Sequence, residues 1–270
     1  MFKATLSKPS LLQPFTALQL NLPASHQQKG LSVSIARDAA EVAEAQRLRY
    51  KIFAEELGAE LSGKDGLDID GFEAFCDHLL VRDTETSQVI GTYRILSPHQ
   101  AFEAGGYYSA GEFDLLSRLS HLLGSTVELG RACVHQNYRN GGTITMLWAG
   151  LAKCMQLHNY EYMIGCASVP ISDGGHMATS LYHKLKDDYL SPPEYRVFPH
   201  NPLPIASLKN DLQVVCPLNQ RLYATWRLYL WRACLRCHFQ QGRYAGNVTF
   251  IYNQSEICST FLKIICNAPI

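Results

Sequence analysis

The sequence lacks both a long apolar run and an excess of charge of either sign. Its 270 residues contain 24 Lys and Arg against 24 Asp and Glu, so the net charge points to no class of partner, nucleic acid included. No window approaches the roughly 18 uninterrupted apolar residues of a membrane span, and the apolar stretch Leu11–Pro23 is broken by polar residues. Neither a membrane-spanning nor a nucleic-acid-binding protein is therefore predicted.

A disulfide framework is also lacking. The nine cysteines are odd in number, and several, such as Cys133, Cys154 and Cys166, lie in apolar segments. Buried thiols in a reducing compartment explain this pattern better than disulfides in a secreted protein. We therefore predict a cytoplasmic protein, and we expect neither a metal site nor a permanently bound cofactor.

The residue pattern divides the chain into three parts. Residues 1–30 are rich in Gln, Ser, Pro and Leu without periodicity and are interpreted as a flexible leader. Residues 31–218 carry strand and helix patterns in the order β, α, β, β, β, α, β, α. This order predicts an α/β or α+β domain with one mixed central sheet flanked by helices. Residues 219–270 form an atypical, divergent tail.

Short periodic segments define the predicted elements. The alternation of Val33 and Ile35 with serines indicates a strand, and Asp38 with Glu41 forms a capping box that opens a helix. The inner side of this helix is predicted to carry Val42, Ala45, Leu48, Ile52 and Leu57. Further strands are predicted at 78–82, 89–96, 126–135 and 161–168, and further helices at 143–158 and 173–186.

A Gly-rich turn joins a buried strand to a helix in the segment ELGRACVHQNYRNGGTI, from Glu128 to Ile144. A helix that starts after such a turn points free N–H groups and the positive end of its dipole at whatever lies in front, which suits a phosphate. Arg139, Gly141 and Gly142 are the predicted phosphate cradle. The alternative is an ordinary connection whose glycines only make the turn.

Five motifs, in their order along the chain, resemble one family of acyltransferases. The motifs are RLRYKIFAEELG, GLDIDGFEAFCDHLLV, GTYRIL, YYSAGEFDL and ELGRACVHQNYRNGG. Together they resemble the L-ornithine N-α-acyltransferases of ornithine-lipid synthesis, distant relatives of the N-acyl-homoserine lactone synthases. The last motif is similar to the pyrophosphate loop of the GNAT superfamily. The resemblance covers about residues 31 to 216 and implies a GNAT acyltransferase fold.

The resemblance also implies a reaction and its partners. A 3-hydroxyacyl group would move from the phosphopantetheine arm of acyl carrier protein to the α-amine of L-ornithine, giving a lyso-ornithine lipid. Peripheral contact with the inner membrane is one option for its location. Three alternatives stay open: a homoserine-lactone or other N-acyl amino acid synthase, a catalytically impaired acyl-binding relative, and a membrane-binding protein acting through its basic, aromatic tail. Gly130 and the Arg-Asn-Gly-Gly turn favour the ornithine branch.

Glu128 and Arg131 are the predicted catalytic residues. The ammonium group of an amino acid must lose a proton before it attacks a thioester, and the Glu128 carboxylate is the candidate base. In an ideal strand the two side chains point to opposite faces, but a bulge at Gly130, known in the GNAT fold, would let both border one cleft. A backbone N–H near Cys133 or Val134 would hold the oxyanion. The alternative is a buried ion pair between Glu128 and Arg131.

The resemblance carries five further residues over, one by one, as substrate-binding residues. Arg49 and Phe53 match the helix motif that lines the acyl-chain entrance in the lactone synthases. Asp70 and Asp77 match the acidic pair of those enzymes and could bind the ammonium groups of the acceptor, and Arg94 matches their strand arginine. Structural alternatives exist for each: a helix-surface ion pair for Arg49, and core packing for Phe53. Asp70 could form a turn, and Asp77 could cap a helix or pair with Arg94.

The tail departs from the family. Residues 219–270 contain six Lys or Arg, one acidic residue and four cysteines. The resemblance stops after Leu218, where the family continues with a pattern like Leu-Lys-Gly-Tyr-Leu-Arg-Leu-Gly. We interpret the tail as the translation of a shifted reading frame, and we expect it to leave a sheet edge uncovered and to lower solubility or activity.

Sequencing of the gene tests this interpretation. Codons for Asn219–Trp226 can be chosen so that deletion of one base from the first codon restores Ile-Lys-Gly-Tyr-Met-Arg-Leu-Gly. We expect the gene to carry such codons. Codons that cannot restore the motif in the alternative frame would refute the frameshift and leave a genuinely divergent C-terminus.

Overall fold

The computed structural model describes residues 28, 30–63, 65–189 and 192–212, together with two strands at 229–230 and 245–253. The predicted leader, apart from Gln28 and Gly30, and most of the predicted tail lie outside the described residues. In the described part of the chain, one mixed sheet has the strand order β1-β2-β3-β4-β5-β7-β6. The strands are β1 Leu31–Ile35, β2 Asp77–Asp83, β3 Val89–Leu96, β4 Thr126–Val134, β5 Tyr162–Pro170, β6 Tyr229–Leu230 and β7 Ala245–Asn253.

Helices cover both faces of the sheet, as the sequence predicts. They are α1 Ala39–Tyr50, α2 Pro98–Glu103, α3 Leu115–Leu119, α4 Gly142–His158 and α5 His176–Tyr189. One face packs against α4 and α5 around Leu79, Ile95 and Leu147, and the other packs against α1, α2 and α3. Among the described residues, no helix combines the length and the apolar character needed to cross a bilayer.

Helix α1 begins where the capping box predicts and ends in an unusual way. The Asp38 carboxylate accepts hydrogen bonds from the N–H groups of Ala40 and Glu41, each at 3.0 Å. After Tyr50 the chain continues as a π-helix, Lys51–Glu56, which has more residues in its turn than an α-helix and so rotates the side chains that follow. Leu57 is therefore exposed, and its prediction as an inner residue is wrong.

Strands β4 and β5 pair over only part of their length. They are parallel from Thr126 opposite Tyr162 to Leu129 opposite Gly165, and they diverge beyond this point, which we call the fork. Glycine is required at the fork, because a Cβ on Gly165 would lie 2.8 Å from the carbonyl oxygen of Leu129. Past the fork, the edge of β4 that faced β5 has no paired strand among the described residues.

The other edge of β5 is covered. β7 pairs antiparallel with β5 along nine residues, from Asn253 opposite Tyr162 to Ala245 opposite Pro170. The expectation that the tail leaves this sheet edge uncovered is therefore wrong. Backbone pairing needs no particular family sequence, and the run of Val, Thr, Phe, Ile and Tyr in β7 suits a strand.

Candidate active site

Six charged side chains form a closed ring of alternating sign on the face of the sheet that packs against α1. Each arginine in the ring contacts two carboxylates, and each carboxylate contacts two arginines. The members of this charge ring, in order, are Arg49, Asp68, Arg131, Asp70, Arg94 and Glu73. With three charges of each sign, the ionised ring is neutral as a whole.

The inner half of the ring centres on Arg49, whose side chain is 0% exposed. Its Nε donates to Asp68 Oδ2 at 2.8 Å and its Nη2 to Glu73 Oε1 at 2.5 Å. The carbonyl oxygen of Asp68 and the Nδ1 of His78 accept from the remaining guanidinium N–H groups, at 2.7 and 3.1 Å. Arg49 therefore connects α1 to the segment that carries Asp68 and Glu73. Because its side chain is buried, it does not line the acyl-chain entrance that the resemblance implied, and it does not form a helix-surface ion pair.

The outer half of the ring contains Asp70, Arg94 and Arg131. Arg94 Nη1 lies 2.7 Å from Asp70 Oδ1 and 3.1 Å from Glu73 Oε2. Arg131 closes the ring with Nη2 at 3.2 Å from Asp70 Oδ2 and Nη1 at 3.6 Å from an Asp68 oxygen. The exposed fraction of the side chain rises from 7% at Arg94 to 16% at Asp70 and 28% at Arg131. Arg131 is therefore the ring member most accessible to a ligand.

Burial and the arginines act in opposite directions on the ring carboxylates. Burial raises the pKa of Asp70, but Arg94 and Arg131 outweigh it and hold the pKa below its usual value. Burial also raises the pKa of Glu73, but Arg49 and His78 outweigh this effect, and the pKa lies below its usual value. Burial lowers the pKa of His78 to about 4. Because a guanidinium can only donate, His78 Nδ1 accepts from Arg49, and the proton of the neutral ring lies on Nε2.

Asp68, Glu73 and His78 are site residues that the sequence analysis missed. The signal was present in the motif GLDIDGFEAFCDHLLV, where three acidic residues fall within six positions of each other. Three motif arginines, Arg49, Arg94 and Arg131, needed partners, and Asp68 and Glu73 are the acids nearest along the chain to Asp70, which was selected together with Asp77. Asp70 does form a turn, the structural alternative considered for it, since its Oδ1 also accepts from the N–H of Phe72.

Asp77 does not join Asp70 in the structure, which contradicts the predicted acidic pair. It lies in β2 opposite Ile95, a residue of the core under α4, and Gln100 Nε2 donates to its Oδ2 at 2.7 Å. Side chains alternate along a strand, so Asp77 and its neighbour His78 point to opposite faces of the sheet. Asp77 therefore belongs to the face away from the charge ring.

The β-bulge that the sequence analysis expected near Gly130 is present in β4, and it aims Arg131 at the charge ring. Thr92 pairs with Cys133 and Arg94 pairs with Gly130, so β4 has one residue more than β3 in this interval. Arg131 lies in this bulge and has a left-handed backbone conformation, with φ of 52°. Its guanidinium carbon lies 5.9 Å from the centre of the Phe53 ring, within the range of a cation–π contact. Phe53 therefore borders the site.

Glu128 lies buried at the fork, one residue before the last pair of β4 and β5. Its two carboxylate oxygens accept from the N–H groups of Tyr108 and Ser109, at 2.6 and 2.9 Å. Burial raises the pKa of Glu128, while these hydrogen bonds and the Arg94 charge lower it, and the net shift is upward. The ion pairs of Arg131 go to Asp68 and Asp70, so the alternative of a Glu128–Arg131 pair is not observed.

The Gly-rich turn holds the start of α4 close to the end of β4. Gly141 has φ of 98°, a conformation that favours glycine, and α4 begins at Gly142, whose N–H donates to Asn140 Oδ1. The next N–H groups of the first turn have no partner within the helix itself. Arg139, with a side chain 48% exposed, pairs with Glu56 at 2.6 Å and donates to the carbonyl oxygen of Val134. Arg139 is therefore half exposed at the start of α4 and is already paired with one carboxylate.

Cys133 is a core residue, as predicted. It is buried among Ala45, Leu48 and Leu80, and burial raises the pKa of its thiol to about 12. A thiol that holds its proton so tightly is a poor nucleophile at neutral pH. Cys133 and Val134 lie on the part of β4 beyond the fork.

Comparison with known proteins gives matches over most of the chain. A family model described as an acetyltransferase (GNAT) domain matches residues 48–149. An L-ornithine N(alpha)-acyltransferase of Rhizobium meliloti (strain 1021) is 36% identical over 205 residues, which cover 70% of this chain and 69% of that protein. The protein of the same name from Brucella abortus (strain 2308) is 40% identical over 147 residues, 51% of this chain and 52% of that one.

A solved structure is also similar to the chain. It is a CoA-dependent acyl-homoserine lactone synthase with SAM and isopentyl-CoA, which has 12% sequence identity and a TM-score of 0.46. The superposition covers 84% of this chain and 83% of that one.

Proposed function

The chain belongs to the L-ornithine N(alpha)-acyltransferase family, and from this premise we propose that it transfers a 3-hydroxyacyl group from acyl carrier protein to the α-amine of L-ornithine. The product is a lyso-ornithine lipid. The observation that carries this proposal is the position of Glu128: a buried carboxylate with a raised pKa lies at the fork, on the same strand as Arg131 of the charge ring. Cytoplasmic location and contact with the inner membrane remain predictions.

The proposed reaction needs one base and one oxyanion donor. The α-ammonium of ornithine gives a proton to Glu128, directly or through one water, and the neutral amine attacks the thioester carbonyl carbon. The resulting oxyanion accepts a hydrogen bond from a backbone N–H of β4 at Cys133 or Val134. The intermediate then collapses to the amide: the C–S bond breaks, the attacking nitrogen loses its second proton, and the expelled phosphopantetheine thiolate takes up that proton.

The charge ring supplies opposite charges for the two ends of ornithine. Asp70 is the most exposed carboxylate of the ring, and its lowered pKa keeps it ionised for an ammonium group. Arg131 is the most exposed cation and suits a carboxylate, because its planar guanidinium can donate two parallel hydrogen bonds. Asp77 has no part in this proposal, because it lies on the other face of the sheet.

The proposed binding of the acyl donor depends on the first turn of α4. Arg139 and the N–H groups after Gly141 can bind the phosphate of a phosphopantetheine arm, whose thioester then reaches the fork. No cofactor is retained after the reaction, because the arm leaves with its carrier. Acyl carrier protein and coenzyme A share this arm, so the choice of carrier is decided by experiment.

One incubation tests the proposed function. Purified protein is supplied with radiolabelled 3-hydroxyacyl carrier protein, or with the matching acyl coenzyme A, and a panel of amino acids that includes ornithine, lysine and homoserine. We expect one labelled, chloroform-soluble product, formed with ornithine and the carrier protein. Labelling of another amino acid, or lactone formation from S-adenosylmethionine, would identify an alternative synthase, and no product with any acceptor would identify an impaired relative.

Replacing Arg139 by alanine is expected to raise the KM for the acyl donor about tenfold and leave kcat nearly unchanged. The reason is the loss of one charge-assisted contact to the phosphate, which is made equally in the ground state and the transition state. Steady-state kinetics at fixed ornithine measure this effect. Arg37→Ala is the matched control, because Arg37 is an exposed arginine that pairs with Glu41 away from the fork. A rise in the KM for ornithine alone would show that Arg139 does not bind the donor.

A further inference from the structure

The charge ring is neutral only while Arg131 occupies it. The other five members carry two positive and three negative charges, so they have a net charge of −1 when Arg131 leaves. Four of these five side chains are at most 7% exposed. Buried charges are stable only when they are paired, so the vacated position must be filled by another cation.

Arg131 is held more weakly than any other member of the ring. Its contacts to Asp70 and Asp68, at 3.2 and 3.6 Å, are the longest of the six, and the second is too long for a hydrogen bond. The remaining ring contacts range from 2.5 to 3.1 Å. Asp68 and Asp70 each keep a close partner, Arg49 and Arg94, when Arg131 moves. The five remaining members thus stay connected.

We propose that, without substrate, the guanidinium of Arg131 occupies the site that binds the side-chain ammonium of the acceptor. When the substrate binds, its ammonium group displaces this guanidinium. This inference rests on the proposed function. The δ-ammonium of ornithine binds between Asp68 and Asp70, and the displaced guanidinium turns to the α-carboxylate of the same molecule. Asp68, which the sequence analysis did not select, thereby becomes a specificity-determining residue together with Asp70.

The exchange accounts for every charge of the acceptor. The δ-ammonium neutralises the five remaining ring members, and the α-carboxylate neutralises Arg131. The α-amine is the group left without a counter-ion in the ring, and its proton goes to Glu128, the proposed base. Phe53 lies on the other side of the Arg131 guanidinium and gives the displaced cation an aromatic face to rest on.

Acceptors that lack one charge separate the two halves of the exchange. Norleucine replaces the δ-ammonium of ornithine by a methyl group of similar size and keeps the carboxylate. Putrescine keeps both nitrogens and lacks the carboxylate. An acceptor without the δ-ammonium leaves Arg131 in the ring, and one without the carboxylate leaves Arg131 displaced and unpaired. Ornithine is therefore preferred over both analogues, for different reasons.

The test compares kcat/KM for the three acceptors in the wild type, Asp70→Asn and Arg131→Ala. An analogue that is not acylated is measured as a competitive inhibitor against ornithine. In Asp70→Asn the preference for ornithine over norleucine should fall about 10- to 100-fold, while the preference over putrescine is kept. In Arg131→Ala the preference over putrescine should fall by a similar factor, about 10- to 100-fold, while the preference over norleucine is kept.

Controls separate exchange from loss of structure. Glu44→Gln removes an ion-paired carboxylate on α1 outside the ring and should change neither preference. Glu73→Gln removes a ring carboxylate that does not contact Arg131, so it should lower the preference for ornithine over norleucine less than Asp70→Asn does. Asp70→Glu and Arg131→Lys keep the charges and should keep both preferences, and the thermal midpoint of each variant reports whether it folds.

The possible outcomes distinguish a failure of the proposed exchange from a failure of the proposed function on which it rests. Ornithine turnover by the wild type, combined with equal losses for all three acceptors in Asp70→Asn and Arg131→Ala, would overturn the exchange alone. The same is true if Glu73→Gln changes the norleucine preference as much as Asp70→Asn does, because the whole ring would then set selectivity. A wild type that acylates another amino acid and not ornithine would overturn both proposals.

Discussion

Replacing Glu128 by glutamine is expected to lower kcat about 10²- to 10⁴-fold and to leave the KM for ornithine nearly unchanged. A general base acts in the transition state, whereas glutamine keeps the size of the side chain and most ground-state contacts. Steady-state kinetics with saturating acyl donor measure the change. Wild-type kcat in the glutamine variant would remove Glu128 from the role of base.

The pH dependence of kcat gives an independent test of the same role. Burial raises the pKa of Glu128 above its ordinary value, so the carboxylate becomes protonated at a higher pH than an exposed glutamate. A base works only when deprotonated, and kcat should therefore fall as the pH decreases through this raised pKa. The residual activity of the glutamine variant should lack this acidic limb. An identical limb in both proteins would assign it to another group.

Replacing Arg49 by leucine is expected to lower the free energy of unfolding by about 3 to 5 kcal/mol. The substitution removes one of the two arginine partners of both Asp68 and Glu73, so the five remaining ring members keep three negative and two positive charges and one buried negative charge is uncompensated. Urea denaturation followed by circular dichroism measures the loss. The expected cost is a large part of the total stability of a domain of this size.

Arg47→Leu is the matched control, because it makes the same change on an exposed position of the same helix. Its effect should stay within about 0.5 kcal/mol. An acyl-entrance role for Arg49 makes a different prediction: the leucine variant would keep its stability and show a raised KM for long acyl donors. Equal stability of the two leucine variants would thus contradict the anchoring role described for Arg49.

The local patterns of the sequence predicted the elements that hold the site. The bounds of β3 and the start of α1 after the Asp38 cap agree with the structure, although Glu41 accepts from the N–H of Arg37 and not from that of Asp38 as in a capping box. The bulge after Gly130 was also expected, and Arg131 occupies it. The motif spacing was sufficient for these features, since each lies within a few positions along the chain.

The sequence analysis failed where a side chain's partner or direction depends on distant residues. Arg131 and Asp70 are 61 positions apart, and Arg49 and Glu73 are 24 apart, so no local pattern pairs them. Asp77 was grouped with Asp70 by motif, but the phase of alternation in β2 turns it to the other face. Leu57 was placed inside by a helical period that the π-helix interrupts.

By itself the sequence determined the family, the order of the elements β1 to β5 with α1, α4 and α5, and the strand that carries Glu128 and Arg131, because motifs and periodicity are encoded in short stretches. Only the tertiary structure decided that Arg49 is a buried anchor, that Asp68 and Glu73 complete a neutral ring, and that Arg131 is its most accessible cation. The physical reason is that burying a charge requires a partner of opposite sign, and folding selects that partner from the elements packed against it.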